Sequence, residues 1–237
     1  SMERQETDPV GFVAAMVQVM HAVGCCPQAL TGHAMSGVAV IDYAARNPSY
    51  SGAVVALNSG VPFTDRKQFE HMPPVPKRVL WTVWDCPELF YAPFAFASES
   101  MQANDACEIA FVDDQYKDIP HDLKLIEDPA FYDLARIAMR DFMTTPKRSA
   151  DDLVYWVHDW TKALVSVSKR LPTLFLQSEH HDFLRYNETE AYLKKLPCVE
   201  LVELADTAQL CVFEKPALIA DAISGGMDRG CERLSAN

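Results

Sequence analysis

Apolar residues recur at helical spacing near the start of the chain. Asp8 and Pro9 form an N-cap followed by a proline at the first helical position, and apolar side chains then repeat every three or four residues as far as Gly24. This pattern predicts an amphipathic helix. A short strand is predicted at 28–31, and a second helix follows it and ends at Asn47-Pro48. The predicted order is therefore helix, strand, sharp turn and helix.

Further apolar runs predict three more strands. They lie at 52–57, 171–178 and 199–204, and the first two have the continuous apolar texture of strands that are covered on both faces. Helices are predicted at 187–196 and 215–223. Strands that alternate with helices indicate an α/β fold with a mostly parallel sheet flanked by helices.

The segment 63–170 has a different texture from the rest of the chain. Prolines and aromatic residues are frequent there, and its periodic patches are helical. We interpret it as a helical cap inserted into the sheet domain. The predicted organisation is an α/β core at 2–62 and 171–223, the cap at 63–170, and a flexible tail at 224–237.

Composition and charge narrow the possible partners. Of the 237 residues 49% are apolar and 23% are charged, as in an ordinary folded protein, and the net charge is −12. An acidic surface repels phosphate backbones and anionic lipids, so we expect this segment to bind neither nucleic acid nor membranes. The seven cysteines form no Cys-x-x-Cys pair. Free thiols in a reducing compartment fit this pattern, which predicts a cytoplasmic protein.

Three sequence motifs occur in a suggestive order. The first is Gly32-His33-Ala34-Met35-Ser36-Gly37, which places small residues at the predicted strand-to-helix turn. The second, at 171–182, is a strand that ends in Glu179-His180-His181-Asp182. The third, at 202–216, contains the last strand, a polar turn with Gln209, and the Glu-Lys-Pro that opens the last helix.

Together these motifs resemble the α/β-hydrolase superfamily, in its capped serine-hydrolase and epoxide-hydrolase branch. The first motif is similar to the G-x-S-x-G nucleophile elbow, with Ala34 at the position of the nucleophilic serine. Gln209 stands where the family has its catalytic histidine, Asp182 is the best match for the acid, and Asp206 is the fallback. Only one helix precedes the elbow. The resemblance therefore implies an α/β-hydrolase-like fold that is N-terminally truncated relative to the family.

The resemblance also implies that the catalytic groups are missing. An alanine methyl cannot act as a nucleophile, and a glutamine amide has no useful proton affinity. The backbone N–H of Met35 would form part of an oxyanion site, with His33 and Asn58 beside it. The cap would cover an apolar pocket. Its candidate lining residues are Trp81, Trp84, Phe90 and Tyr91.

Other residues offer weaker chemical possibilities. Ser36 lies where a serine caps or packs against the new helix more often than it attacks a substrate. His33 is interpreted as a packing residue. His180 and His181 could suggest a metal, but neighbouring side chains at a strand end point in opposite directions, and the sequence shows no distant partner for them. We therefore expect no metal and no cofactor.

Three functions remain open. The first is a non-catalytic domain that binds a small apolar ligand in a regulatory or sensory role, and is not an enzyme. The second is a serine hydrolase of an ester, lactone or similar substrate, in which alanine replaces the serine at Ala34 and His180 or His181 is the base. The third is the sensory part of a longer transcriptional regulator.

The sequence also predicts an assembly. The strand at 28–31 precedes the elbow and normally has strands on both sides, so one of its edges should lack a partner here. A bare apolar edge invites pairing with another chain. We expect a homodimer that covers this edge together with the helix carrying Phe12 and Met16.

Overall fold

The protein contains a parallel β-sheet in the described part of the chain. The computed structural model describes residues 8–117, 119–181 and 184–235. The strands lie in the order β1-β2-β3-β4, and every neighbouring pair is parallel. This confirms the predicted α/β class. The strands are β1 (Ala29–His33), β2 (Ala53–Leu57), β3 (Thr173–Ser178) and β4 (Val199–Leu204).

Helices connect the strands and form the insertion between β2 and β3. A single 3₁₀ turn, Arg66–Phe69, precedes the insertion's helices. The helices are α1 (Pro9–Ala22), α2 (Ser36–Arg46), α3 (Pro74–Asp85), α4 (Pro87–Ala103), α5 (Asp105–Tyr116), α6 (Pro120–Ile126), α7 (Pro129–Thr144), α8 (Pro146–Val157), α9 (Thr161–Ser168), α10 (Tyr186–Leu193), α11 (Cys211–Glu214) and α12 (Pro216–Ser235).

The two central strands are buried along their whole length because helices cover both faces of the sheet. On one face Val54, Ala56 and Phe175 pack in a core with α1, α2 and α9. On the other face Val55 and Leu174 pack against α11 and α12. This alternation explains why β2 and β3 read as continuous apolar runs in the sequence.

The cap has a hydrophobic core of its own. Phe69, Leu80, Phe90 and Val157 are buried in it, and α3, α4 and α8 contribute most of its members. Helix α9 was included in the predicted cap at 63–170, but it packs against α2 in the core of the sheet domain. Its apolar side chains face the sheet domain rather than the cap, a distinction that helical periodicity alone does not make.

The chain after Ile223 was predicted to be a flexible tail. In the structure helix α12 continues through this segment as far as Ser235. At Gly226 the helix approaches β3 so closely that a Cβ atom there would lie 2.8 Å from the side chain of Leu174. A glycine that reads as a helix breaker in the sequence instead permits this close packing. Residues 236–237 lie outside the described part.

Strand β1 forms one edge of the sheet. It pairs with β2 alone in the described structure, and Thr31 on it is exposed. Within the described residues no helix combines the length and apolar character that crossing a bilayer requires.

Candidate active site at the strand-to-helix turn

Ala34 occupies a sharp turn between β1 and α2. Its φ of 51° is in the left-handed region, which costs a residue with a Cβ atom about 1–2 kcal/mol. The turn is held from both sides, because the Ala34 N–H donates to the Leu57 carbonyl (2.8 Å) and the Ala34 carbonyl accepts from the Gly37 N–H (3.1 Å). The methyl group thus sits at a strained position that neighbouring backbone groups keep in place.

Two glycines allow this turn to pack closely. A Cβ atom on Gly32 would lie 2.3 Å from the carbonyl oxygen of Ser36, and one on Gly37 would lie 1.9 Å from Oγ of Ser59. Both separations are far below van der Waals contact. The Ser36 hydroxyl accepts from the His33 N–H (2.8 Å) and donates to the His33 carbonyl (2.7 Å). Ser36 therefore braces the turn, as its predicted packing role requires.

His33 joins the turn to the loop that carries Gln209. Its Nε2 lies 3.0 Å from the Gln209 carbonyl oxygen. A carbonyl can only accept, so the proton is on Nε2. Burial lowers the pKa of His33, and the hydrogen bond to Gln209 opposes this shift only in part. The pKa of His181 falls to about 4, because of burial first and the nearby His33 second. Both imidazoles are therefore neutral near pH 7.

The Gln209 loop is fixed by an aspartate from the cap. Asp122 is fully buried and accepts hydrogen bonds from the N–H groups of Gln209 (3.2 Å) and Leu210 (2.8 Å). Burial raises the pKa of Asp122 to about 6, although the two backbone donors act in the opposite direction. The side-chain oxygen of Gln209 is buried and has no hydrogen-bond partner among the described residues. Sequence reasoning missed Asp122, since no motif distinguishes it from other helical aspartates.

Met35 and Asn58, the other residues predicted around the site, have different positions. Met35 is the N-cap of α2, directly after Ala34. Asn58 is buried at the end of β2, and its Nδ2 donates to Ser178 Oγ (3.0 Å) and the Ala208 carbonyl (3.3 Å). Its Oδ1 accepts from the Ser178 N–H (2.8 Å). Both amide hydrogens are thus used to tie β2 to β3 and to the Gln209 loop.

Comparison with solved structures identifies this arrangement. An enol-lactonase from Burkholderia xenovorans LB400 superposes with a TM-score of 0.59 at 12% identity, over 92% of this chain and 71% of the enzyme. A thermophilic esterase from Thermogutta terrifontis gives 0.56 at 16% identity, over 94% and 72%. An α/β-hydrolase from a Medee basin deep-sea metagenome gives 0.54 at 15%, over 90% and 70%. The chain has the α/β-hydrolase fold. At the sequence level, neither a protein-family profile nor a curated protein matches the chain.

The sequence offers two candidates for the acid position of the α/β-hydrolase fold, and one of them lies within the described residues. Asp182, the preferred candidate, lies outside the described residues. Asp206, the fallback, is exposed and has a φ of 55°. Its Oδ2 accepts from Lys215 Nζ (2.9 Å), and its Oδ1 lies 3.7 Å from His121 Nδ1.

The four aromatic residues predicted to line a pocket under the cap of this α/β-hydrolase fold belong instead to the core of the cap itself. Phe90 is buried there, with Trp81, Trp84 and Tyr91 packed around it. Trp84 contacts Phe69 edge-on, with 5.8 Å between ring centroids. An aromatic-rich insertion needs its own core, and side-chain identity alone does not separate core residues from pocket residues.

A cleft lies beyond the carboxyl ends of β2 and β3, where ligands commonly bind in α/β sheets. Its volume is about 410 Å³. Buried apolar side chains of Val61, Phe63 and Leu184 line its base, and the charged residues of its rim are Asp65, Lys67, Arg185, Glu188 and Lys195. A second cleft, of about 560 Å³, lies within the cap between α4 and α5.

Proposed function

We propose that this protein is a non-catalytic domain with the α/β-hydrolase fold that binds a small ligand in a regulatory role. One observation carries the proposal. The strained turn that presents a nucleophile in this fold is formed around Ala34, which has no hydroxyl group. The fold thus keeps the geometry of the elbow without its reactive atom.

The histidine loop supports the same conclusion. Gln209 occupies the position that the resemblance assigns to the base, and an amide does not take up a proton at neutral pH. The imidazole of His33, which is bonded to this loop, donates its Nε2 proton to the Gln209 carbonyl. The turn therefore has no nucleophile, and the loop has no base at position 209.

The cleft beyond β2 and β3 is the proposed ligand site. Its apolar base suits a ligand with an apolar body, as predicted from the sequence. The charged rim favours a polar group at the other end of the ligand. This site replaces the pocket that we expected beneath Trp81 and Trp84, because those rings pack within the cap.

A serine hydrolase is the second candidate. The retained elbow geometry favours it, together with the neutral imidazole of His181 near His33. In this alternative His181 would be the base for a serine at position 34, and the substrate would be an ester or lactone. The enol-lactonase and the esterase with the same fold make that substrate class a natural choice for assays.

One set of assays distinguishes the two candidates. The wild type, A34S and the matched control A217S, which adds a serine on the exposed surface of α12, would be tested with p-nitrophenyl butyrate, a small lactone and a fluorophosphonate probe. We expect no hydrolysis above a heat-denatured sample, and no more labelling of A34S than of A217S. Hydrolysis that copurifies with the wild type, or probe attached to residue 34 of A34S with turnover, would overturn the proposal.

A ligand screen by thermal shift completes the test. Small carboxylic acids, lactones and esters with apolar bodies would be screened against the wild type, A191W and A110W. Ala191 lines the proposed cleft and Ala110 lines the cleft in the cap. Hits on the wild type should be lost in A191W and kept in A110W. A screen without hits, or hits that A191W retains, would contradict the placement of the ligand.

A further inference from the structure

Three side chains with metal-binding atoms converge near the Gln209 loop. They are His121 from α6 of the cap, His180 from the loop after β3, and Asp206 from the turn after β4, and one donor atom of each lies within 4.8 Å of the others. His121 Nδ1 is 3.7 Å from Asp206 Oδ1. The sequence singled out His180 as a possible metal ligand but showed no partner for it, because His121 lies far away in the chain, in the cap.

Hydrogen bonds to the backbone and to side chains hold two of the three donor residues, His180 and Asp206. The His180 N–H donates to the Thr207 carbonyl (3.0 Å), and the Asp206 N–H donates to Oε2 of Glu179 (2.9 Å). Lys215 Nζ holds the other oxygen of the Asp206 carboxylate, at 2.9 Å. These contacts hold the loops after β3 and β4 in place. Only side-chain rotations are then needed to bring the donor atoms to a shared ion.

A second carboxylate lies beside the cluster. Glu214 Oε1 is 4.0 Å from His121 Nδ1. Its other oxygen, Oε2, is buried and has no hydrogen-bond partner within the described part of the chain. A buried carboxylate oxygen without a donor is costly unless a cation or a proton compensates it. Glu214 therefore adds a carboxylate beside His121, through the oxygen that faces the cluster.

The geometry points to a divalent transition-metal site, for which Zn²⁺ is the best match, formed by His121, His180 and Asp206 with Glu214 as the fourth ligand. Two imidazoles and two carboxylates suit the preference of Zn²⁺ for nitrogen and oxygen donors. Tetrahedral coordination with bonds of about 2.1 Å places ligand atoms about 3.4 Å apart. The separations among the donor atoms of His121, His180 and Asp206, at most 4.8 Å, need to contract by at most about 1.5 Å, within the reach of side-chain rotation.

Ion binding would also change the contact between the two histidine rings. They are stacked, with centroids 4.4 Å apart and planes 11° from parallel. Two imidazoles that share an ion point their lone pairs at it, so binding would rotate the rings out of the stack. His121 belongs to the cap and the other ligands belong to the sheet domain. The bound ion would therefore cross-link the cap and the sheet domain.

Titration with Co²⁺ and Zn²⁺ tests this site. The chelator-treated full chain should bind one equivalent of Zn²⁺ by calorimetry, and Co²⁺ should give the visible absorption of tetrahedral coordination. The variants H121A, H180A and D206N should each weaken binding by about tenfold or more. H158A, which removes an exposed histidine elsewhere, should bind like the wild type. Circular dichroism would confirm that each variant is folded.

The exposed neighbours Cys25 and Cys26 are a competing source of metal binding. The titration would therefore be repeated in C25S/C26S, where the stoichiometry and affinity should be unchanged. Zn²⁺ should also raise the melting temperature of the wild type and of H158A, but not that of H121A. The proposal is wrong if the wild type binds no Zn²⁺ at a free concentration of about 100 μM, which is about 100 times a micromolar dissociation constant. It is also wrong if H121A and D206N bind Zn²⁺ as tightly as the wild type.

Discussion

At the scale of single residues, the burial of His33 makes stability depend on pH. Its pKa is lowered mainly because the imidazole is removed from water. Below its ordinary value of 6.5 the unfolded chain therefore binds more protons than the folded protein. Above pH 6.5 the titration of His33 does not lower the free energy of unfolding. As the pH falls from 6.5 toward the lowered pKa, the free energy of unfolding decreases.

H33Q isolates this contribution, because a glutamine amide can still donate to the Gln209 carbonyl but does not titrate. Urea unfolding would be measured between about pH 7.5 and about pH 5. We expect the wild type to lose more stability than H33Q over this range. H33L, which leaves the Gln209 carbonyl without its donor, should lose about 1–3 kcal/mol at both ends of the range. Parallel pH profiles for the wild type and H33Q would contradict the prediction.

At the scale of elements, the packing of α2 onto the end of β2 depends on one missing side chain. A Cβ atom on Gly37 would lie 2.6 Å from Cβ of Ser59 as well as against its hydroxyl. G37A should therefore destabilise the protein by about 1–3 kcal/mol, as overpacking of a core does. S59G removes the clashing atoms. The double variant G37A/S59G should therefore be more stable than the sum of the two single-variant effects predicts. Chemical denaturation of all four proteins completes this double-mutant cycle, and additive effects would rule the clash out.

The sequence predicted the elements better than it predicted the site. Apolar runs located the four strands of the described residues to within two residues, because burial on both faces of β2 and β3 leaves a strong local signal. The contact between Asp122 and the Gln209 loop left no such signal, since it joins cap and sheet residues that are distant in the chain. Composition likewise predicts an aromatic cap, but it does not separate residues of the cap core, where Trp81 and Trp84 pack, from residues that line a pocket.

At the scale of the whole molecule, the exposed face of α1 and the edge strand β1 suit a second copy of the chain. Phe12, Met16 and Val19 on α1, with Val23 at its C-cap, form an exposed apolar stripe. The segment 9–41, which contains this stripe and β1, has no Asp, Glu, Lys or Arg. Two chains that each carry a net charge of −12 can therefore meet here without bringing like charges together. We expect a two-fold dimer through this surface.

Sedimentation equilibrium at micromolar concentration checks the dimer. F12E/V19E places two carboxylates in the apolar stripe and should yield a monomer with an unchanged circular dichroism spectrum. F96E is the matched control, because Phe96 on α4 is even more exposed, at 72%, but lies in the cap. It should remain dimeric. A monomeric wild type, or a dimer that F12E/V19E leaves intact, would refute the assignment.

The position of the cap between two paired strands has a consequence for folding. β2 and β3 are neighbours in the sheet, yet α3 to α9 all lie between them in the chain. Pairing these strands closes a loop as long as the whole insertion. The entropy lost in closing a loop grows only logarithmically, by about 0.6 kcal/mol for each doubling of its length. The sheet can therefore accommodate caps of very different sizes at nearly constant thermodynamic cost, whereas the search for the β2-β3 contact slows as the intervening chain lengthens.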